Sequence, residues 1–165
     1  GLLYAGLALT KRGVRVVEFN VRFGDPETQV VLPLLRSPLS QLLFHAATGT
    51  LAEVEPLRWH GGAAVTVVLA ASGYPATPRG GDRITGVDRA DAMNAVTVYQ
   101  AGTATDVDGQ LTSSGGRVLA VTARGANLAE ARDAAYAAVA EIELPGGHHR
   151  TDIAAKAIAG LISAQ

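Results

Sequence analysis

The sequence predicts an α+β fold, a mostly antiparallel sheet with helices packed on it. Three observations predict it. Short apolar, β-branched runs at 2–9, 14–20, 63–71, 95–101 and 117–124 are bounded by turn residues, as strands are. The first two are separated only by Thr10-Lys11-Arg12-Gly13, a polar connection ending in Gly, which makes them a hairpin and so antiparallel. The alanine-rich segment 128–142 is the clearest helix, because Ala favours helix intrinsically and Asn127 is a good cap before it.

Taken in order, run 14–20 should alternate sides, with Val14, Val16 and Glu18 facing one way and Arg15, Val17 and Phe19 the other. Arg22 to Glu27 is a loop, and Pro26 suits the first turn of a following helix. Residues 27–35 read as a short helix that Pro33 bends or ends. Residues 38–48 make a better one, with Leu39, Leu42, Leu43 and Ala46 on one face and Gly49 as its stop. Between Leu57 and Gly62 the pattern changes from helix to strand, which places a boundary between 1–58 and 59–165. Strand 63–71 should be strongly buried, and Ser72 to Asp82 is a loop rich in breakers. Strands are expected at 83–87, 95–101 and 117–124, with Asp106 to Gln110 as a turn, and a last helix at about 152–163.

Composition narrows the class of function. The chain has 165 residues, 48% hydrophobic and 18% charged, which is globular rather than disordered. With one Trp, four Tyr and three Phe, small aliphatics must do most of the packing. A net charge of −1 without any Lys/Arg run argues against nucleic acid or an anionic membrane as partner. The absence of cysteine excludes disulfides, thiolate catalysis and cysteine-ligated zinc, and suits a cytoplasmic setting. No stretch reaches the length of a membrane span. The apolar start lacks a leading Met and a basic segment, and reads as the middle of a strand, as in a fragment.

The chemistry concentrates in Glu18-Phe19-Asn20-Val21-Arg22-Phe23-Gly24-Asp25-Pro26-Glu27-Thr28-Gln29. Glu18 and Asn20, two apart on a strand, share a face, where a carboxylate and an amide oxygen can approach one hard cation such as magnesium. Arg22 follows on that face if the strand persists, with a fork suited to phosphate. Gly24-Asp25-Pro26 then turns sharply where a helix begins, a place to hold an anion or a substrate amine. The same spacing also fits a plain solvated polar face.

This run, preceded by Gly1-Leu2-Leu3-Tyr4-Ala5-Gly6-Leu7, closely resembles the phosphoribosylamine–glycine ligase family of the ATP-grasp superfamily. The resemblance continues through Ala71-Ser72-Gly73-Tyr74-Pro75, Gly115 to Thr122, Ala134-Ala135-Tyr136 and Arg150-Thr151-Asp152-Ile153, so it covers the chain in order. It implies that 1–58 ends an ATP-grasp lobe and that 59–165 is a C-terminal α+β subdomain. It further implies joining of glycine to 5-phosphoribosylamine, with ATP cleaved to ADP and phosphate by way of glycyl phosphate. In that reading Glu18 and Asn20 are ligands of magnesium or manganese, and Arg22 is catalytic. Gly24, Asp25 and Pro26 line the substrate pocket. The family's N-terminal and ATP-clamping portions are missing, so this polypeptide alone should be inactive. The departures are a Ser72 to Pro75 segment one residue short, His148-His149 in place of aromatics, and Ala154 in place of a frequent Gly.

Other residues admit two readings. Gly115-Gly116-Arg117 could bring Arg117 to a substrate phosphate, or be a glycine hairpin followed by a surface arginine. His148 and His149, adjacent on extended chain, should point to opposite faces and cannot easily chelate one ion. Tyr136 should pack in the core, and Asp106 and Asp108 should form a turn. Two rival functions are a different ATP-grasp carboxylate–amine ligase, and a non-catalytic module that kept the fold. The first should not carry Arg-Phe-Gly-Asp-Pro-Glu-Thr-Gln after its metal pair, and the second need not retain Glu18, Asn20 and Arg22.

Overall fold

In the computed structural model, residues 1–10 and 12–162 are described. They form two compact units, Gly1–His60 and Gly61–Ile162. Every strand pairing among the described residues is antiparallel, so the structure is a mixture of helices and antiparallel sheet.

The first unit opens with the ribbon of β1 (Tyr4–Thr10) and β2 (Gly13–Asn20). Its ladder is not regular: Leu7 pairs with Val16 but Gly6 pairs with Glu18, so Val17 is an extra residue in a bulge. Directly paired residues share a face. Ala5, Leu7 and Leu9 therefore lie with Val14, Val16 and Phe19, and Tyr4 and Gly6 lie with Glu18 and Asn20. Simple alternation put Glu18 beside Val14 and Val16; the bulge instead turns it to the other side. The apolar face is exposed, with Leu7 at 55% and Phe19 at 61%.

Strand β2 stops at Asn20, and α1 (Glu27–Val31) follows a bend and loop. Pro26 is the cap of α1 rather than its first residue. A single 3-10 turn, Leu32–Leu34, contains Pro33, which cannot continue the α-helical ladder. Helix α2 (Leu39–Thr48) starts after Pro38 and ends at Gly49, whose φ of 74° is the left-handed stop expected there. Among the described residues of this unit only Gly24 is buried.

The second unit holds the core. Its main sheet has the order β3-β7-β4, from Ala63–Ala70, Arg117–Gly125 and Val96–Gln100. The central strand β7 carries the fully buried Val118, Leu119, Val121 and Ala123. Helix α4 (Leu128–Ala140) packs on the sheet through Ala131, Ala135 and Ala138, all without solvent exposure. Their small side chains let the helix approach closely, which is how a chain poor in aromatics reaches dense packing. The Asn127 side chain accepts a hydrogen bond from Glu130 N at 3.0 Å, and Glu130 Oε2 accepts one from Ala126 N, so the predicted cap is reciprocal.

Three expectations fail here for local reasons. Residues 83–87 are not a strand: Arg83 and Thr85 make single bridges to Thr112 and Glu143. Gly86, at φ 81°, then turns the chain into α3 (Val87–Asp91). A small hairpin, β5 (Thr103–Thr105) with β6 (Leu111–Ser113), flanks the Asp106–Gln110 turn and was not anticipated. The final helix is short: α5 covers only Ala155–Ile158, and Gly160 at φ 69° follows it. Residue 163, the expected end of that helix, lies outside the described residues.

Candidate functional site

The bulge in β2 has a direct effect on the site. It sets Glu18 and Asn20 on the face that also carries Tyr4 and Gly6. Gly6 lies directly beneath Glu18, since a Cβ there would stand 3.2 Å from Glu18 Cγ. The Glu18 side chain is exposed and takes part in no hydrogen bond or ion pair among the described residues. Asn20 is half-buried, and its Nδ2 is shielded from solvent without a hydrogen-bond partner.

The Glu18 carboxylate has no partner among the described residues, and the unsatisfied atom of Asn20 is its NH2, a donor open to an acceptor oxygen rather than to a cation. The oxygens of the two side chains are the donor type that a hard divalent cation selects. Among the described residues no cluster of three or more His, Cys, Asp or Glu could enclose a cation without outside ligands. Glu18 and Asn20 thus fit a magnesium or manganese ion that draws most of its shell from water and phosphate.

Arg22 does not extend the strand face, because β2 ends two residues earlier. Its Nη1 donates to the Phe23 carbonyl at 2.8 Å, and its charge acts on Tyr4 across the same corner. Gly24 leaves room for two neighbours: a Cβ there would stand 2.7 Å from Glu27 Oε2 and 2.9 Å from Tyr4 Cε2, so a side chain would push them aside. Thr28 N donates to Gly24 O at 3.1 Å, and Gln29 Nε2 donates to Asp25 Oδ1 at 2.9 Å, tying the loop to α1. Pro26 follows Asp25 through a cis peptide bond and, lacking an N–H, offers no donor. Beside this corner is an open cavity of about 740 Å³ lined by Tyr4, Arg22, Phe23, Gly24 and Glu27, with leucines behind them.

Two residues of this corner were not among the candidates. The Tyr4 hydroxyl donates to Glu27 Oε1 at 2.9 Å. That hydrogen bond, then burial, then the charges of Glu27 and Glu18 hold the phenol above its usual range, with Arg22 opposing. Tyr4 therefore stays protonated and keeps its donor. The signal for it was its place on β1, but a regular ladder would have paired Tyr4 with Phe19 instead of Asn20.

Arg117 belongs to the second unit, at the start of β7, and its side chain is exposed. The glycines before it have packing reasons of their own. A Cβ at Gly116 would strike the Tyr74 ring at 2.4 Å, and one at Gly115 would meet Gly102 Cα at 3.1 Å. His148 and His149 face different neighbours, the rings of Tyr74 and Tyr136 at 6.5 and 5.9 Å. Tyr136 packs against the core, and its hydroxyl donates to Arg150 O at 2.6 Å and accepts from Ile153 N. Asp106 Oδ1 accepts from the amides of Asp108 and Gln110, a turn held by a side chain.

Comparison with known proteins bears on this arrangement. The family described as "Phosphoribosylglycinamide synthetase, C domain" matches residues 64–156, and "Phosphoribosylglycinamide synthetase, ATP-grasp (A) domain" matches residues 1–28. A phosphoribosylamine–glycine ligase of Streptomyces coelicolor is 64% identical over 159 residues, covering 95% of this chain and 38% of that protein. One from Mycobacterium tuberculosis is 57% identical over 163 residues, 99% of this chain and 37% of its own length. The crystal structure of phosphoribosylamine–glycine ligase from Thermotoga maritima superposes with a TM-score of 0.75 at 36% identity, over 91% of this chain and 36% of that one. The chain thus spans little more than a third of the relatives it matches. With the C-domain match extending over more than half its length and these identities beside it, the chain belongs to the phosphoribosylglycinamide synthetase family.

Proposed function

We propose that this chain is the C-terminal part of a ligase that joins glycine to 5-phosphoribosylamine with cleavage of ATP to ADP and phosphate. The observation that carries the reading is the Glu18–Asn20 face of β2, where the exposed Glu18 carboxylate has no partner among the described residues, followed by the Gly24–Glu27 loop. The relatives' printed activity supplies the substrates.

Glycine's carboxylate takes the γ-phosphoryl group of ATP, releasing ADP. The amine of phosphoribosylamine then attacks the glycyl carbon, forming the amide and releasing inorganic phosphate. Activation comes from ATP, so no side-chain nucleophile is required. Glu18 and Asn20 would hold magnesium or manganese, which supplies neutralisation of phosphate charge during phosphoryl transfer. Arg22, exposed at the same corner, would stabilise negative charge on the transferring group. Gly24, Asp25 and Pro26 would line the substrate pocket, where the absence of a side chain at Gly24 leaves room and Gln29 orients the Asp25 carboxylate. Arg117 would bind a substrate phosphate. Residues 1–58 would end the ATP-grasp lobe and 59–165 form a C-terminal subdomain. The rest of the ATP-binding machinery would come from the remainder of the enzyme, in the cytoplasm. Among the described residues no helix is long and apolar enough to cross a membrane.

The test is ADP release by the full-length gene product supplied with ATP, magnesium, glycine and freshly generated phosphoribosylamine. Release that requires both glycine and the amine is the expected result. Release that needs a different acid or amine would overturn the substrate assignment.

A further inference from the structure

We propose that Tyr4 and Glu27 act as a clamp that sets the substrate loop at a fixed distance from the cation-binding face of β2. The inference rests on the ligase reading and adds two positioning residues to it. Tyr4 stands on the Glu18–Asn20 face, paired directly with Asn20 across the ribbon. From there its ring reaches the backbone of Gly24, and its hydroxyl donates to the first residue of α1, Glu27. One residue thus meets both parts of the site: by its backbone the strand that would hold the cation, and by its side chain the loop that would line the substrate pocket.

The chemistry of the pair suits positioning better than proton transfer. The phenol oxygen is engaged as a donor to Glu27, so the pair is a fixed link between strand and helix rather than a free acid or base. Glu27 accepts that bond with Oε1. Its other oxygen, Oε2, lies against Gly24, where any side chain would displace it. Positioning of this kind matters because a small misplacement of a substrate relative to ATP sharply lowers the rate of transfer.

Two measurements on the full-length gene product test the clamp. In the first, hydrogen exchange is followed at the amides of residues 24–28 in wild type and in Tyr4→Phe, which keeps the ring and removes only the hydroxyl. Exchange should quicken about tenfold in the variant, as expected for loss of one hydrogen bond to a charged acceptor. Glu27→Gln, which keeps an acceptor oxygen for the phenol, should retain most of the wild-type protection, and Glu27→Ala should match Tyr4→Phe. In the second, steady-state ADP release by Tyr4→Phe should show KM for glycine or for phosphoribosylamine raised about tenfold, with KM for ATP moved less than about twofold. ATP is spared because its cation partner would be held by strand residues, which the substitution leaves in place.

Unchanged exchange in Tyr4→Phe overturns the clamp. So does an equal rise in all three KM values, which would mark a general loss of structure. If wild type itself shows no release dependent on glycine and the amine, the ligase reading fails, and the exchange result still decides whether Tyr4 holds the loop.

Discussion

Glu18 shows what a residue can reveal by having nothing to bind. It is exposed, unpaired and set over Gly6, so its carboxylate adds little to folding. Glu18→Gln in the full-length enzyme should therefore leave the melting temperature unchanged while lowering ADP release on the order of a hundredfold. Wild-type turnover by that variant at ordinary magnesium would remove Glu18 from the role proposed for it. Ala154 is the reverse case, a residue whose effect is on stability alone. Its φ of 61° lies in the left-handed region, where a Cβ crowds the following carbonyl. Glycine in its place relieves the crowding but adds freedom to the unfolded chain. The relief is the larger effect, and Ala154→Gly should raise stability by roughly 1 kcal/mol in denaturant unfolding. An unchanged or lowered midpoint would contradict the steric account. The His148-His149 departure has a milder outcome, since each imidazole lies near a tyrosine ring and so occupies an aromatic setting.

At the scale of elements, legibility in the sequence followed local chemistry. Helix α4 was readable because its alanines, its Asn127 cap and its length all favour one state. Asn127→Ala should cost about 1 kcal/mol in thermal or denaturant unfolding, because Glu130 N loses its acceptor. A change within error would mean that Glu130, which reaches back to Ala126 N, holds the helix start alone. Helix α2 was readable for similar reasons, between Pro38 and Gly49. The bulge at Val17 was not. Nothing in Val14-Arg15-Val16-Val17-Glu18 distinguishes a regular strand from a bulged one, because the extra residue is determined by the partner strand. A regular ladder counted from Thr10 and Gly13 would pair Ala5 with Glu18 and leave Tyr4 away from the site. Residues 83–87 mislead in the opposite direction: the β-branched Ile84, Thr85 and Val87 suggest a strand, but Gly86 adopts φ 81°, and a Cβ there would lie 1.9 Å from Glu141 O. The last helix was overestimated because Ala and Ile between 153 and 162 suit a helix, while Gly160 at positive φ ends the run.

For the whole molecule, the two units differ in what sustains them. The core residues Val67, Leu119, Val121, Ala135 and their neighbours all belong to Gly61–Ile162, whereas Gly1–His60 buries only Gly24 among its described residues. Burial of apolar surface is the dominant favourable term in folding. Residues 61–162 produced alone should therefore melt cooperatively, and residues 1–60 alone should show no cooperative transition by circular dichroism. A cooperative melt of 1–60 would mean that its exposed leucines and valines bury more surface in solution than here. The family was legible across the whole chain because its motifs are spread from Gly1 to Ile153, yet the residues of the candidate site fall in the unit with the least core.

The extra residue in β2 also gives the ribbon slack in its length. Losing one residue between Gly13 and Val17 can be absorbed by healing the bulge into a regular ladder, with Glu18 still opposite Gly6 and still facing the same way. Gaining one residue there finds no such slack, and the ribbon must form a second bulge or turn Glu18 and Asn20 over to the side of Phe19. Single deletions in this stretch should thus be tolerated by descendants of this protein more readily than single insertions, an asymmetry that equal-length substitutions would never expose.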